Sequence, residues 1–198
     1  RKRNDKNIVI YSADLDKTLS AKSLKDAVNQ EGSFGLIQSA VKLVDPSFGF
    51  ELSIYSDFPM KSGLGGSATV ISAVLGCFNQ FRNDPWDRYE MAELAFQAER
   101  LYLGIAGGWQ DQYASVFGGF NFLEFKKDQN IVHPLRLQKD TLLQLEESLI
   151  LCDTGTIHES GDIHEDQKTK MQNSNVSKLV KSNVDLCYKM RNQLLRGN

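Results

Sequence analysis

An alternating segment of this chain leads, through a glycine-rich loop, into an apolar helical pattern, and this order limits the folds that the chain can adopt. Residues 48–56 repeat with a period of two, which is typical of a half-buried strand. The residues on one side of this segment are apolar: Phe48, Phe50, Leu52 and Ile54. The loop "PMKSGLGG" follows, and residues 67–81 then show helical periodicity. The sequence therefore predicts a strand–loop–helix unit, and the loop decides what this unit can bind.

Two common phosphate-binding motifs do not fit this loop. Gly63-x-Gly65-x-x-Ala68 matches the loose dinucleotide fingerprint, but that fold requires a second strand ending in an acid about 20 residues further on. The chain continues instead with two helical patterns. A Walker A loop ends in Gly-Lys-Ser or Gly-Lys-Thr, and neither tripeptide occurs in the chain. Both interpretations are rejected.

Two interpretations of the loop stay open. It is either a plain glycine-rich connection or an anion site, in which backbone N–H groups converge at the positive end of the next helix. Ser67 could cap that helix or offer its hydroxyl to a metal, and Thr69 could act similarly from the next turn. Lys61 adds a positive charge at the rim or is a solvated surface lysine.

Composition excludes several functional classes. The 198 residues carry 23 basic and 25 acidic side chains, a net charge of −2, which gives no electrostatic case for nucleic acid or an anionic membrane. No apolar run approaches the roughly 18 residues needed to span a bilayer, and no signal peptide follows the basic start. Cys77, Cys152 and Cys187 are predicted to be buried, reduced thiols, which favours a cytoplasmic setting.

The remaining patterns predict an α+β fold. Residues 7–12, 118–126 and 148–155 read as strands, and residues 22–44 read as helix interrupted near Gly32 and Gly35. Another helix is predicted to begin with Asp84 as its cap, Pro85 at its first position and Asp87 in its first turn. Both ends of the chain look like cut edges.

Two carboxylates add a second set of candidate residues. Asp111 lies in an apolar stretch where Glu124 is the only other charge between Arg100 and Lys126, and Glu99 lies twelve residues before Asp111. With a phosphate loop and a hydroxyl at a helix start, two carboxylates complete the parts of a Mg²⁺-dependent phosphoryl transfer. The alternatives are a helix-surface role for Glu99, paired with Arg100 or Lys61, and a turn or cap role for Asp111.

Three side chains outside this set are weaker candidates. Trp109 could stack on a sugar face or belong to the core. His158 lies in a polar loop where it could touch a sugar phosphate, and its six-residue spacing from His164 disfavours a zinc site. Tyr102 and Tyr113 are expected to be packing residues.

The motifs "PMKSGLGGSAT" and "GGWQDQYASVFGGFNFLEF" resemble those of the GHMP kinases, and most of all the sugar-kinase branch. The resemblance implies an ATP- and Mg²⁺-dependent kinase that phosphorylates a sugar or sugar phosphate. The implied acceptor is the anomeric hydroxyl of a heptose phosphate, and the alternative is an enzyme similar to L-fucose kinase. It implies that ATP contacts Lys61, Ser62, Gly63, Leu64, Gly65, Gly66, Ser67 and Ala68. Ser67 and Glu99 would hold Mg²⁺, Asp111 would be the catalytic carboxylate, and the sugar would contact Asp111, Gly108, Trp109 and His158.

The resemblance also implies a domain organisation. Residues 1–148 would form an N-terminal, ATP-binding domain like ribosomal protein S5 domain 2, with a left-handed βαβ crossover. Residues 149–198 would begin a ferredoxin-like C-terminal domain. A homodimer is the expected partner arrangement. The family's first and third motifs have no counterpart here, and Gly66 stands where serine is commoner. A truncated, non-catalytic nucleotide- or sugar-binding module and a fold-only relative are therefore the rival hypotheses.

Overall fold

The computed structural model describes residues 1–57, 62–152, 169–171 and 173–198. The chain divides into two compact units, Arg1–Phe117 and Gly118–Asn198. The described elements mix helices and strands, so the predicted α+β class is confirmed. The predicted boundary between family domains at residue 148 stays a prediction.

Among its described residues, the first unit contains a small sheet and five helices. Its strands are β1 (Ile8–Ser12), β2 (Lys17–Ala21) and β3 (Phe50–Ile54). Its helices are α1 (Leu24–Asn29), α2 (Gly35–Val44), α3 (Gly66–Asn79), α4 (Arg88–Gln97) and α5 (Gln110–Phe117), with a π-helical turn, Ala98–Tyr102, continuing α4. The strands predicted at 7–12 and 48–56 and the interruption between α1 and α2 are confirmed. Strand β2 was not foreseen; only one of its five residues, Leu19, is buried.

The sheet has the order β2-β1-β3 and carries the core on one face. Strand β1 pairs antiparallel with β2 and parallel with β3, so Ile8 lies between Ala21 and Phe50. Alternate β1 side chains, Ile8 and Ile10, point into the core because successive residues of a strand face opposite sides. Helices α2 and α3 pack together in this unit, and α3 also packs against α4 and α5. Helix α3 therefore brings the glycine loop, at its N-terminus, next to α4 and α5.

Helix α4 begins later than predicted. Its N-cap is Asp87, whose side chain accepts a bond from the backbone N–H of Glu90 while Glu90 bonds back to the N–H of Asp87, a complete capping box. The prediction of Asp84 as cap and Pro85 as first residue is therefore wrong. The side-chain amide of Asn79 bonds both the N–H and the carbonyl of Trp86, and these bonds hold Trp86 outside the helix.

The second unit contains a hairpin and two helices among its described residues. Strands β4 (Asn121–Phe125) and β5 (Asn130–Pro134) pair antiparallel, and helices α6 (Lys139–Ser148) and α7 (Ser174–Arg196) follow. The strand predicted at 118–126 is confirmed, and β5 and α6 were not foreseen. The strand predicted at 148–155 is wrong for its described part, because Ser148 ends α6 and Leu149–Cys152 is irregular. Residues 153–155 lie outside the described residues.

The cysteines differ from expectation in their burial. Cys77, Cys152 and Cys187 are all exposed, and no disulfide joins these three described residues. The prediction of buried thiols is therefore wrong. The helical pattern around Cys77 is real, but this residue lies on the outward side of α3. Among the described helices, none is both long and apolar enough to cross a membrane.

A polar network ties the hairpin of the second unit to α7. The Glu124 carboxylate accepts hydrogen bonds from the Tyr188 hydroxyl and from His133 Nε2, the latter at 2.7 Å. Since an ionised carboxylate only accepts, His133 must donate from Nε2. These two bonds, led by that from Tyr188, lower the pKa of Glu124 to about 2, and the bond to Glu124 raises the pKa of Tyr188.

Acid is therefore expected to loosen this network. A carboxyl whose pKa is lowered by folding stabilises the fold above its unfolded pKa of about 4.5, and that contribution is lost as the pH falls towards about 2. Tyr188→Phe should reduce the hydrogen-exchange protection of β4 and β5 at neutral pH. The additional loss of protection on acidification should be smaller in this variant than in the wild type. Tyr55→Phe, at an exposed tyrosine of the first unit, is the matched control. Identical protection in the two variants would contradict the stabilising role of the Tyr188–Glu124 bond.

Candidate active site

The glycine loop ends in a helix whose N-cap is itself a glycine. Gly63 and Gly65 have φ of 77° and 69°, a region that glycine enters without steric cost. Gly65 is the N-cap of α3 and, as a glycine, contributes no side-chain hydrogen bond to the helix start. Ser67 therefore does not cap the helix, which removes one of its two predicted roles. The backbone N–H groups of the first helical turn and the positive end of the helix dipole form a place where an anion can bind.

Ser67 binds a buried carboxylate on a neighbouring helix. Its hydroxyl donates to Oε1 of Glu99, which lies in the π-helical turn after α4 and is only 3% exposed. Nε2 of Gln112 donates to Oε2 of the same carboxylate at 2.5 Å. The alternative of a helix-surface carboxylate is wrong for Glu99. Its predicted neighbour Arg100 is nevertheless close, with Nη1 at 3.6 Å from Oε1.

The π-helical turn directs both Glu99 and Arg100 inwards. Such turns are frequent at functional sites because they shift the helical phase locally. The Arg100 guanidinium donates to the carbonyls of Ala106 and Gly108, at 3.4 and 3.2 Å. Gly107 makes room for it, since a Cβ at this position would lie 2.4 Å from Cζ of Arg100. Arg100 thus fastens the loop that leads to α5.

Asp111 faces the glycine loop from the first turn of α5. A Cβ built on Gly65 would lie 3.4 Å from Cγ and 3.6 Å from Oδ1 of Asp111, so the carboxylate rests against the bare Cα of Gly65. Any other residue at position 65 would adopt an unfavourable positive φ, although its Cβ would meet Asp111 only at an ordinary van der Waals distance. Glycine at this position is therefore required by the loop conformation, and the Asp111 carboxylate lies beside it.

Thr69 and Ala68 complete the helix start. The Thr69 hydroxyl donates to the Gly65 carbonyl at 3.1 Å, and its oxygen lies 3.1 Å from Oγ of Ser115 on α5. Ala68 is fully buried, whereas Ser62, Gly63 and Leu64 are exposed and Gly66 is half-buried. Helices α3 and α5 are therefore joined beside the loop.

Trp109 and Tyr113 fix α5 to α4. The Trp109 ring stacks on Phe96, with centroids 4.5 Å apart, and its Nε1 lies 3.4 Å from Oε2 of Glu93. Tyr113 is buried and donates to Oε1 of Glu93 at 2.6 Å, as expected of a packing residue. Tyr102 is instead exposed beside Lys42. The stack on Phe96 supports the packing alternative for Trp109, while Gly108 is exposed.

The structure brings Glu99 and Asp111 to Ser67 and Gly65, which lie more than 30 residues earlier in the sequence. Lys61 and His158 lie outside the described residues. Sequence reasoning missed Glu93 and Gln112. Gln112 could have been found only with the phase of α5 in hand, which would place this amide on the buried side of the helix.

The oxygen atoms of Ser67 and Glu99 suit Mg²⁺. A hydroxyl and a carboxylate are hard donors, and Mg²⁺ takes one or two protein ligands with phosphate oxygens and waters completing its shell. In the part of the chain that the structure describes, there is no cluster of three or more His, Cys, Asp or Glu side chains. Two oxygen donors beside a phosphate-binding helix start do not require such a cluster.

Comparison with known proteins gives consistent matches. Residues 35–119 match the family described as the GHMP kinases N terminal domain. The D-glycero-alpha-D-manno-heptose 7-phosphate kinase of Campylobacter jejuni is 36% identical over 203 residues, covering 100% of this chain and 60% of that protein. The L-fucokinase/L-fucose-1-P guanylyltransferase of Bacteroides fragilis is 39% identical over 83 residues, 42% of this chain and 9% of that protein.

A solved structure extends the similarity to the fold. The D-glycero-D-manno-heptose 1-phosphate kinase from Bacteroides thetaiotaomicron superposes with a TM-score of 0.69 at 31% identity, covering 89% of this chain and 60% of that one. The chain thus spans about 60% of the length of the heptose kinases it matches. The sequence motifs and the fold agree with this match, and residues 35–119 of the chain carry the domain described as the GHMP kinases N terminal domain.

Proposed function

We propose that the protein is an ATP- and Mg²⁺-dependent kinase that transfers the γ-phosphate to a hydroxyl of a sugar or sugar phosphate. The observation that carries the proposal is the meeting of the glycine loop with two carboxylates. Ser67 at the start of α3 binds Glu99, and Asp111 rests on Gly65. Phosphoryl transfer depends on positioning and on charge stabilisation, and these elements supply both.

Residues 62–68 would hold the ATP phosphates. The positive φ of Gly63 and Gly65 lets backbone N–H groups converge without obstruction from a Cβ, and the start of α3, whose N-cap is Gly65, adds the positive end of its dipole. Mg²⁺, when bound, neutralises charge on the phosphate oxygens. Ser67 and Glu99 are the residues that would hold it. Lys61 would contribute from the rim.

Asp111 would orient or deprotonate the attacking hydroxyl. Its carboxylate already lies against the loop that would carry the phosphate, so an acceptor held by Asp111 would face the phosphoryl group. The exposed Gly108 and the side chains of Trp109 and His158 are the proposed sugar contacts. Because one face of the Trp109 ring is stacked on Phe96, we propose that Trp109 contacts the sugar through the edge of its ring.

A heptose phosphate, phosphorylated at its anomeric hydroxyl, is the proposed substrate. This rests on the 36% identity to the heptose 7-phosphate kinase, which extends over the whole of this chain. An L-fucose-kinase-like activity is the second candidate, favoured by 39% identity over 83 residues to the L-fucokinase. A cytoplasmic setting and a homodimer complete the proposal. The exposed cysteines, which form no disulfide among themselves, support the setting.

The deciding assay measures ADP release by the longest natural form of the chain with Mg-ATP. The panel contains D-glycero-D-manno-heptose 7-phosphate, L-fucose, galactose and mevalonate. Turnover with the heptose phosphate alone is the expected result. Turnover only with L-fucose would transfer the assignment to that substrate. Binding of Mg-ATP without any turnover would favour a non-catalytic binding module, and absence of Mg-ATP binding would reject the kinase assignment.

A further inference from the structure

We infer that Gln112 is a positioning residue for the metal site: its amide holds the Glu99 carboxylate in place to share a Mg²⁺ with Ser67. The inference rests on the proposed function and concerns a residue that the sequence analysis did not single out. Gln112 follows Asp111 in α5 and is completely buried, with 0% of its surface exposed.

The Glu99 carboxylate is held from two sides. Its Oε1 accepts the Ser67 hydroxyl from α3, and its Oε2 accepts Nε2 of Gln112 from α5 at 2.5 Å. A glutamate has several rotatable bonds, so one contact would leave its second oxygen free to swing. The Gln112 bond removes that freedom and links the metal-ligand residue to the helix that carries Asp111.

The orientation of the Gln112 amide follows from the carboxylate. An ionised carboxylate only accepts hydrogen bonds, so the amide must present its NH₂ group to Glu99. Its Oε1 then points away and, within the described residues, finds no hydrogen-bond partner. A buried amide oxygen without a partner is unfavourable for folding. Packing alone therefore does not account for a glutamine at this position, whereas orientation of Glu99 does.

The donor at this position is also neutral. A cation on Oε2 would offset the charge that a metal ion requires of its ligand, and an amide holds the oxygen without doing so. The nearby cation, Arg100, approaches the opposite oxygen at 3.6 Å and is engaged with the loop carbonyls. Gln112 thus fixes the geometry of Glu99 while leaving its negative charge available.

The test is a metal titration of Gln112→Met, which keeps the side-chain length but lacks the donor. Mn²⁺ binding in the presence of ATP, followed by electron paramagnetic resonance, and the Mg²⁺ dependence of ADP release are measured on the longest natural form. The expected result is about a tenfold or greater weakening in both titrations, as for other residues that orient metal ligands. Gln110→Met, at an exposed glutamine of the same helix, is the matched control and should titrate like the wild type.

A double-mutant cycle separates positioning of Glu99 from a general packing defect. If Gln112 acts through Glu99, then Gln112→Met should have no further effect on metal binding in a Glu99→Gln background. Thermal denaturation checks that the Gln112→Met variant is folded. If it is not, the same titrations are made on Gln112→Asn, whose side chain is too short to reach Glu99. Wild-type titrations in both Gln112 variants, or additive effects in the cycle, would overturn the inference and leave the kinase proposal intact. A wild-type protein that binds no metal–ATP would overturn both.

Discussion

Asp111→Asn is expected to lower turnover by about 10²- to 10⁴-fold, the usual contribution of a positioned acid or base. Asparagine has nearly the same shape, so it can keep the contact with Gly65, but it cannot accept the proton of the attacking hydroxyl. Binding of Mg-ATP should persist, because the loop, Ser67 and Glu99 are unchanged. ADP release with the preferred substrate measures the first effect, and nucleotide titration measures the second.

The control for this variant is Asp45→Asn. Asp45 closes α2 with a left-handed backbone, φ 48°, which asparagine tolerates well. Its turnover should equal that of the wild type. Full activity of Asp111→Asn in an otherwise active protein would remove Asp111 from the catalytic role, and a parallel loss of nucleotide binding would indicate a role in the loop instead.

Gly49→Ala is expected to destabilise the first unit strongly. A Cβ on Gly49 would lie 2.3 and 2.5 Å from the carbonyl oxygens of Asp5 and Asn7. These are backbone atoms, and the segment is held by further bonds, from Gly49 N to the Asp5 carbonyl at 3.0 Å and from Arg3 N to the Gly49 carbonyl at 2.8 Å. Relief of the clash must therefore break the pairing beside β3, at a cost of about 1–3 kcal/mol or more.

Urea unfolding followed by tryptophan fluorescence measures this loss, since Trp86 and Trp109 both lie in the first unit. The matched control is Gly76→Ala inside α3, where the new Cβ would meet only Cε of Met91 at an ordinary 3.8 Å. That change should be neutral or stabilise by about 0.5–1 kcal/mol, because alanine favours helix. Equal urea midpoints of unfolding for the two variants would show that the backbone of residues 5–7 moves aside without loss of stability.

Much of the fold could be predicted where the signal is local. The alternation of residues 48–56 gave β3, the glycine loop and the apolar pattern after it gave α3, and the interruption near Gly32 separated α1 from α2. The start of α4 shows the limit of local signals. Both Asp84-Pro85 and Asp87 are good helix starts, and the bonds between Asn79 and Trp86 decide between them.

The failed strand after α6 has a related cause. The apolar run Leu149–Leu151 has the composition of a buried strand, yet Ile150 is 90% exposed. A strand exists only when another strand pairs with it, and composition does not supply the partner. The exposed Cys77 has a similar origin, since an apolar helical pattern does not say which side of α3 faces out.

The chemistry of the candidate site could be predicted from the amino-acid sequence: a glycine loop before a helix, a hydroxyl at the helix start and two carboxylates twelve residues apart. These signals are local because backbone freedom and side-chain chemistry belong to individual residues. The burial of Glu99, its bonds to Ser67 and Gln112, and the contact of Asp111 with Gly65 could be seen only in the folded chain. Such contacts join three helices, and their geometry depends on helix phase and packing, which a π-helical turn shifts in a way that sequence spacing does not reveal.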